Sequence, residues 1–274
     1  MNIGKLVGNQ TSVQVLKIVK DSETARTIQF KVPTQDFEML PGQFLMVWIP
    51  GVDEIPMSVS LWDPPSVGIT VLPIGEATET LVSLHEGDWL GIRGPFGSSF
   101  TLDSKNALIV GGGIGMAPLK PLVYGLLEKR ANVTLLIAAK TERELVFLAE
   151  FSRLSDGCFT LRTSTDDGSL GYRGFATEAV KESLDVKNYD TLYACGPELM
   201  MFGLYEQVRD LKIRFQASLE RFMKCGCGIC GTCAMDPNGT LVCVDGPIYS
   251  KEHLSEITEF GKYYRDSMGL KKEF

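Results

Sequence analysis

Five of the chain's seven cysteines crowd one stretch, Arg221 to Pro247 (RFMKCGCGICGTCAMDPNGTLVCVDGP): Cys225, Cys227, Cys230, Cys233 and Cys243. Thiols at this density suit disulfides, a zinc ion or an iron–sulfur cluster. Disulfides fit poorly, because five thiols leave one unpaired and no targeting segment is read ahead of Gly4. A zinc ribbon asks for two separated C-x2-C knuckles, whereas here a crowded group faces the single Cys243. Cys225, Cys230 and Cys233 give C-x4-C-x2-C with a later lone cysteine, the [2Fe–2S] spacing of plant-type ferredoxins. Starting from Cys227 gives C-x2-C-x2-C, but the next ligand of a [4Fe–4S] run falls on Pro237. Cys225, Cys230, Cys233 and Cys243 are therefore the preferred metal ligands, with Cys227 spare and structural zinc as the alternative.

The surrounding residues suit a loop wrapped around such a group. Gly226, Gly228 and Gly231 permit unusual backbone angles and close approach, so that amides can reach sulfur. Asp236-Pro237-Asn238-Gly239 reads as a tight turn, with Thr240 to Val244 as the strand that carries Cys243 back to the other ligands.

A chain of 274 residues has room for two cores and an appendage, which must position this loop. Its 44% hydrophobic and 22% charged content is that of an ordinary globular protein, and no apolar run reaches membrane-spanning length. A net charge of −7 without basic stretches argues against nucleic acid as a partner. Thiol-rich metal chemistry without a secretory signal points to the reducing cytoplasm.

Short β-branched runs broken by Pro and Gly fill the first hundred residues: Ser12–Val19, Arg26–Val32, Gln43–Ile49, Met57–Trp62, Gly68–Pro73 and Trp89–Arg93. Their spacing predicts an antiparallel barrel. Gly75-Glu76-Ala77-Thr78 leads into an expected helix, Glu79–Leu84, whose first amides can hold a phosphate; the plainer reading is that Thr78 caps that helix.

From about residue 104 strands and helices alternate. The strand Ala107–Val110 runs into Gly111-Gly112-Gly113-Ile114-Gly115-Met116-Ala117-Pro118 and the helix Leu119–Glu128. Strand, glycine-rich turn and helix N-terminus together make an anion site for a pyrophosphate, although the same glycines can serve close packing. Val133–Ala138, Phe159–Thr163 and Thr191–Ala194 read as further strands, and Glu142–Leu154, Gly174–Ser183 and Pro197–Arg209 as helices, giving a parallel sheet covered on both faces. Ligands in such sheets lie beyond the carboxyl ends of the strands, where Gly111–Pro118, Thr165–Ser169 and Cys195-Gly196-Pro197 fall. Cys195 there is either a small buried side chain or a contact for the nicotinamide end of a cofactor. His85 and His253 read as surface residues, and Leu254–Phe260 as a short amphipathic helix.

Barrel, GGGIGMAP, CGP and a C-terminal C-x4-C-x2-C…C, in that order, resemble the ferredoxin–NAD(P) reductase superfamily. MKCGCGICGTC, TDDGSLGYRG and YACGPELM narrow the resemblance to electron-transfer subunits of dihydroorotate dehydrogenase complexes, over nearly the whole chain. The resemblance implies an FAD-binding β-barrel (1–102), an NAD-binding α/β domain (103–218) and a [2Fe–2S] segment with a C-terminal helix (219–274). It also implies a separate FMN-containing catalytic subunit that oxidises dihydroorotate. By position, Pro56, Met57, Ser58 and Ser60 fall in the flavin-contact strand and Gly75 and Thr78 at the diphosphate turn. Gly111, Gly112, Gly113, Gly115, Cys195, Gly196 and Pro197 fall in the pyridine-nucleotide site, and Cys225, Cys230, Cys233 and Cys243 match the cluster ligands.

One departure stands out. Where the superfamily's flavin motif carries an Arg, this chain has Ile55, and Glu76 and Glu79 flank the diphosphate turn with negative charge. The expectation is FAD binding that is weakened, altered or rescued by another cation, with Arg93 as the candidate. Asp166 and Asp167 favour NAD over NADP, for which Lys140 and Arg143 are the alternative charges. The expected chemistry converts hydride transfer into single-electron transfer, with Cys195 and Glu220 as the residues shaping the hydride site. Two other readings compete: a reductase subunit serving a hydrogenase, ferredoxin or sulfur-reducing complex, and a cluster-binding scaffold that has lost FAD.

Overall fold

The computed structural model describes residues 10–32, 38–63, 65–186 and 188–274; the first nine residues of the expected barrel unit lie outside them. Strands β1 (Thr11–Lys20), β2 (Arg26–Lys31), β3 (Phe44–Ile49), β4 (Asp53–Asp63) and β5 (Ser66–Val71) lead to helix α1 (Glu76–Ser83) and strand β6 (Trp89–Phe96). The six strands close an antiparallel barrel in the order β1-β2-β5-β4-β3-β6. Alternation fills its interior: Leu45, Val47 and Ile49 of β3 meet Leu90 and Ile92 of β6 and Ile28 and Phe30 of β2 in one core.

The second unit runs β7 (Asn106–Gly112), α2 (Met116–Glu128), β8 (Asn132–Ala139), α3 (Leu148–Phe151), β9 (Phe159–Thr165), β10 (Tyr172–Arg173), α4 (Ala176–Val186), β11 (Thr191–Cys195), α5 (Glu198–Val208) and β12 (Arg214–Ser218). Burial on both faces accounts for the unbroken apolar runs of β7, β8 and β11. The expected helix Glu142–Leu154 is instead a single turn at Glu142–Glu144 and the short α3, interrupted where Phe147 takes φ 63°. Phe147 accepts that conformation with its ring buried and Lys120 4.5 Å above it.

The remaining chain adds the hairpin β13 (Ala234–Met235) and β14 (Thr240–Leu241), then β15 (Ile248–Ser250), α6 (Lys251–Glu256), β16 (Tyr263–Arg265) and β17 (Lys271–Glu273). β15 pairs antiparallel with β12 and completes a seven-stranded sheet, β10-β9-β8-β7-β11-β12-β15. The helix expected over Leu254–Phe260 lies earlier, over α6, because Ser250 caps it by accepting the His253 amide. The return strand expected to Val244 stops at Leu241, where Asp245 takes the Leu241 amide and turns the chain.

One core crosses all three units: Phe44, Met46 and Phe96 of the barrel share it with Leu192, Ala194 and Ala217 of the sheet and with Met223, Cys233, Val242 and Cys243. A buried ion network ties the last two together. Arg221 donates from Nε to Glu259 (2.7 Å), from Nη1 and Nη2 to Glu198 (2.5 and 3.2 Å), and from Nη1 to the Glu220 carbonyl (2.7 Å). Glu259 also accepts the Asp236 amide and Glu198 the Gly261 amide, both at 3.0 Å. Removing one partner of such a network strands charge away from water. Arg221→Ala is expected to lower the unfolding free energy by about 3–5 kcal/mol, read from the urea midpoint and slope at equal cluster content. A midpoint within error of the parent would show that water replaces the guanidinium.

Candidate functional site

The cysteine loop leaves β12 through Glu220 and Arg221 and lies against the barrel. Gly226, Gly228 and Gly231 all have positive φ (70°, 82° and 71°), as a loop folded around a compact group requires. A Cβ at Gly226 would stand 2.6 Å from Met46 of β3, so this loop needs glycine to seat against the barrel. The Cys225 sulfur accepts the amides of Cys227 (3.5 Å), Ile229 (3.3 Å) and Cys230 (3.4 Å). Burial pushes that thiol up, but the amides and the neighbouring Cys230 thiol prevail and bring it down to about 6. Cys233 and Cys243 are buried free thiols; burial first, and then the hydrogen bond between them, raises Cys243.

The four expected ligands thus stand as two pairs, Cys225 with Cys230 and Cys233 with Cys243. Among the described residues, no three Cys, His, Asp or Glu converge on one point as ligands of a single tetrahedral ion would. Two thiol pairs beside inward-pointing amides suit a two-iron cluster. The Cys227 side chain lies between the Cys225 sulfur and Arg93 and contacts both.

Arg93 was expected as a replacement cation for the flavin diphosphate, and the structure gives it different partners. Its Nε and Nη2 grip Glu54 at 2.8 and 2.6 Å, and Nη2 also donates to the Cys225 carbonyl at 3.1 Å. The bidentate contact holds the Glu54 carboxyl below its usual range.

On β4, Pro56 lies opposite Met46, Met57 opposite Leu45 and Ser58 opposite Phe44. Ser60 is buried in a β-bulge, where its hydroxyl donates to the Gly68 carbonyl (3.2 Å) and accepts from Thr70 (2.6 Å). Those bonds tie the hydroxyl into the barrel wall. Helix α1 begins earlier than expected, at Glu76. Thr78 therefore sits in its first turn, with Oγ accepting the Ile74 and Gly75 amides at 2.9 and 3.1 Å, which is the capping reading. Nothing lies within 4 Å of a Cβ built on Gly75, so the turn has room for a phosphate. Its charge is unfavourable, because Glu76 and Glu79 occupy the first helical turn.

The glycine-rich loop after β7 serves both of its readings. A Cβ on Gly115 would meet the Cys195 carbonyl at 2.3 Å, and one on Gly112 would meet Pro197 and Met200 at 2.8 Å. These glycines, with Gly111 against Met116, let the β7 and β11 loops touch. Gly113 (φ 54°) has open space above it and is the position free to face a ligand. Gly196 (φ 150°) likewise packs its backbone on Gly112. Cys195 pairs with Ser218 across β11 and β12. Burial, reinforced by the Glu220 charge, pushes its thiol up to about 12, so it remains protonated. Desolvation also raises Glu220. Cys195, Ser218 and Glu220 thus gather at the carboxyl end of the sheet.

Three contributors escaped the sequence: Ser218, the Glu54–Arg93 pair and the Arg221 network. The faint signals were Glu198 directly after Cys-Gly-Pro and Arg221 next to the apolar pair Phe222-Met223 on the approach to the cysteines. His85 and His253 are exposed, as expected. No helix among the described residues is long and apolar enough to cross a membrane.

Comparison with known proteins agrees with this geometry. Residues 220–255 match the iron–sulfur cluster binding domain of dihydroorotate dehydrogenase B, and residues 109–205 match the oxidoreductase NAD-binding domain. The chain is 44% identical to a probable dihydroorotate dehydrogenase B (NAD(+)) electron transfer subunit of Methanothermobacter thermautotrophicus, over 94% of this chain and 95% of the relative. It is 41% identical to the Methanocaldococcus jannaschii protein of the same name, over 94% and 96%. A solved NADH-dependent reduced ferredoxin–NADP oxidoreductase, studied for flavin-based electron bifurcation, superposes with TM-score 0.80 at 28% identity, covering 93% of this chain and 94% of that one. An Amycolatopsis cytochrome P450 reductase shares the fold at TM-score 0.66 and 20% identity, over 76% of this chain and 69% of that one. These matches support a cofactor set of a [2Fe–2S] cluster, FAD and NAD. With close relatives spanning nearly its whole length, the chain belongs to the electron transfer subunits of dihydroorotate dehydrogenase B, a family of NAD-linked oxidoreductases.

Proposed function

We propose that the chain carries electrons between NAD and an FMN-containing dihydroorotate dehydrogenase subunit in the cytoplasm, serving pyrimidine biosynthesis. The observation that carries this reading is the seating of two thiol pairs on a loop fixed to both the barrel and the carboxyl end of the nucleotide sheet. Bound flavin and cluster supply the exchange between two-electron and one-electron carriers. Everything else falls to the chain's own residues, divided among a flavin barrel (1–102), an NAD unit (103–218) and a cluster segment (219–274).

Gly111, Gly112 and Gly115 bring the β7 loop against Cys195-Gly196-Pro197, and Gly113 leaves backbone open to a pyrophosphate at the start of α2. Pro56, Met57 and Ser58 on β4 and the turn at Gly75 and Thr78 form the flavin side. With Ile55 in place of a guanidinium, backbone amides there must meet the phosphates. Cys195 and Glu220 flank the site of hydride transfer, where the neutral Cys195 thiol shapes the nicotinamide pocket and attacks nothing. Cys225 and Cys230 would hold one iron, and Cys233 and Cys243 the other.

The deciding experiment is anaerobic purification followed by flavin, iron and sulfide assays, then NADH-driven bleaching and dihydroorotate-dependent reduction with the catalytic subunit present. FAD with two irons per chain and bleaching in both assays is the expected result; zinc in place of iron would sink the reading. Alanine at Cys225, Cys230, Cys233 or Cys243 is expected to lose most of the iron. Cys227→Ala keeps it, and iron loss in that variant would reassign the ligands. Because the Cys195 thiol remains neutral, NADH-dependent flavin reduction should show no ionisation of this group between about pH 6 and 9. Cys195→Ala is expected to change the rate of that step and leave its pH profile in place. A limb that vanishes in the variant would show a titrating thiol.

A further inference from the structure

The contact between β6 and the cysteine loop pairs opposite charges in a fixed order, with Arg93 toward the loop and Glu54 behind it. Arg93 touches both the carbonyl of Cys225 and the side chain of Cys227. Glu54 faces away from the loop, with its second partner being the Gln10 amide at 3.2 Å. The Arg93 side chain is 12% exposed and that of Glu54 20%, so solvent screens the pair only in part. Phe96 adds a cation–π contact 5.6 Å from the guanidinium carbon, and Met46 packs the neighbouring Gly226. The arrangement is an oriented dipole with its positive end on the backbone of the first proposed cluster ligand. A cluster that gains an electron gains negative charge, so a positive end close by favours the reduced form.

We propose that the Glu54–Arg93 pair positions the cysteine loop on the barrel and sets the reduction potential of the cluster it holds. The inference rests on the cluster reading given above. The two halves of the pair act in opposite directions. Removing the guanidinium disfavours the reduced cluster and lowers its potential. Neutralising the carboxylate leaves the guanidinium uncompensated and raises it. A merely structural contact has no such sign, because losing either partner would loosen the same loop in the same way.

The test is an EPR-monitored redox titration of the full-length holoprotein, purified anaerobically, as Arg93→Met, Glu54→Gln, Arg93→Lys and wild type. Expected are a shift to lower potential in Arg93→Met, a shift to higher potential in Glu54→Gln, and a value close to wild type in Arg93→Lys. Potentials that move together in Arg93→Met and Glu54→Gln, or that do not move, overturn the inference. So does loss of flavin from Arg93→Met at an unchanged cluster potential, which would return Arg93 to the diphosphate. Should Arg93→Met fail to retain iron, the sign in Glu54→Gln decides, and an unmoved or lowered potential there overturns the proposal. Wild-type protein without iron would sink the cluster reading itself, an outcome separate from a wild-type potential that the variants fail to move.

Discussion

The arrangement depends on one buried guanidinium. Arg221 holds two carboxylates and the carbonyl of its neighbour Glu220 at once, and the carboxylates come from distant parts of the chain: Glu198 at the head of α5 and Glu259 near the end. Burying such charges is costly unless every one is matched, and here the Asp236 amide takes the second oxygen of Glu259 while the Gly261 amide joins the guanidinium on Glu198. Because Glu198 follows the Cys195-Gly196-Pro197 loop and Asp236 opens the turn between Cys233 and Cys243, the network fixes the nucleotide end of the sheet relative to the cysteine loop. The Cys195-Gly196-Pro197 loop and the cysteine loop gain a common frame through it.

On the other side of the loop, contacts with the barrel do the corresponding work. Met46, Phe96 and Arg93 all point outward from strands whose alternate residues fill the barrel core. The loop is therefore clamped between two rigid bodies. That suits electron transfer, which demands fixed distances more than motion, and it explains why the glycines at 226 and 228 cannot carry side chains without displacing Met46 or Val244.

Much of this was legible in the sequence, for reasons that differ by region. The barrel strands and the parallel strands show strong periodicity or unbroken apolar runs, and all of them form close to the expected bounds. The iron–sulfur segment was legible because metal chemistry constrains cysteine spacing more tightly than packing does. Helices failed where tertiary contacts overrode local preference: Phe147 broke the run after β8 to bury its ring, and Ser250 started α6 ahead of the amphipathic stretch. Side-chain roles were the hardest to foresee. The bonds that Ser60 makes to Thr70 and Gly68 across a bulge carry no signal in the sequence. Arg93 looked like a free cation because its partner, Glu54, lies 39 positions away in the chain.

The antiparallel strand β15 has a consequence for how the molecule is made. Without Ile248–Ser250, β12 would be a bare sheet edge offering unpaired backbone groups to any other strand. That edge stays open during synthesis until the whole cysteine loop has emerged, since all five loop cysteines precede β15. The sheet of the second unit therefore seals itself only with a strand that arrives after every thiol of the cysteine loop. An isolated fragment ending at residue 218 would carry the same open edge permanently, and self-association is its natural fate.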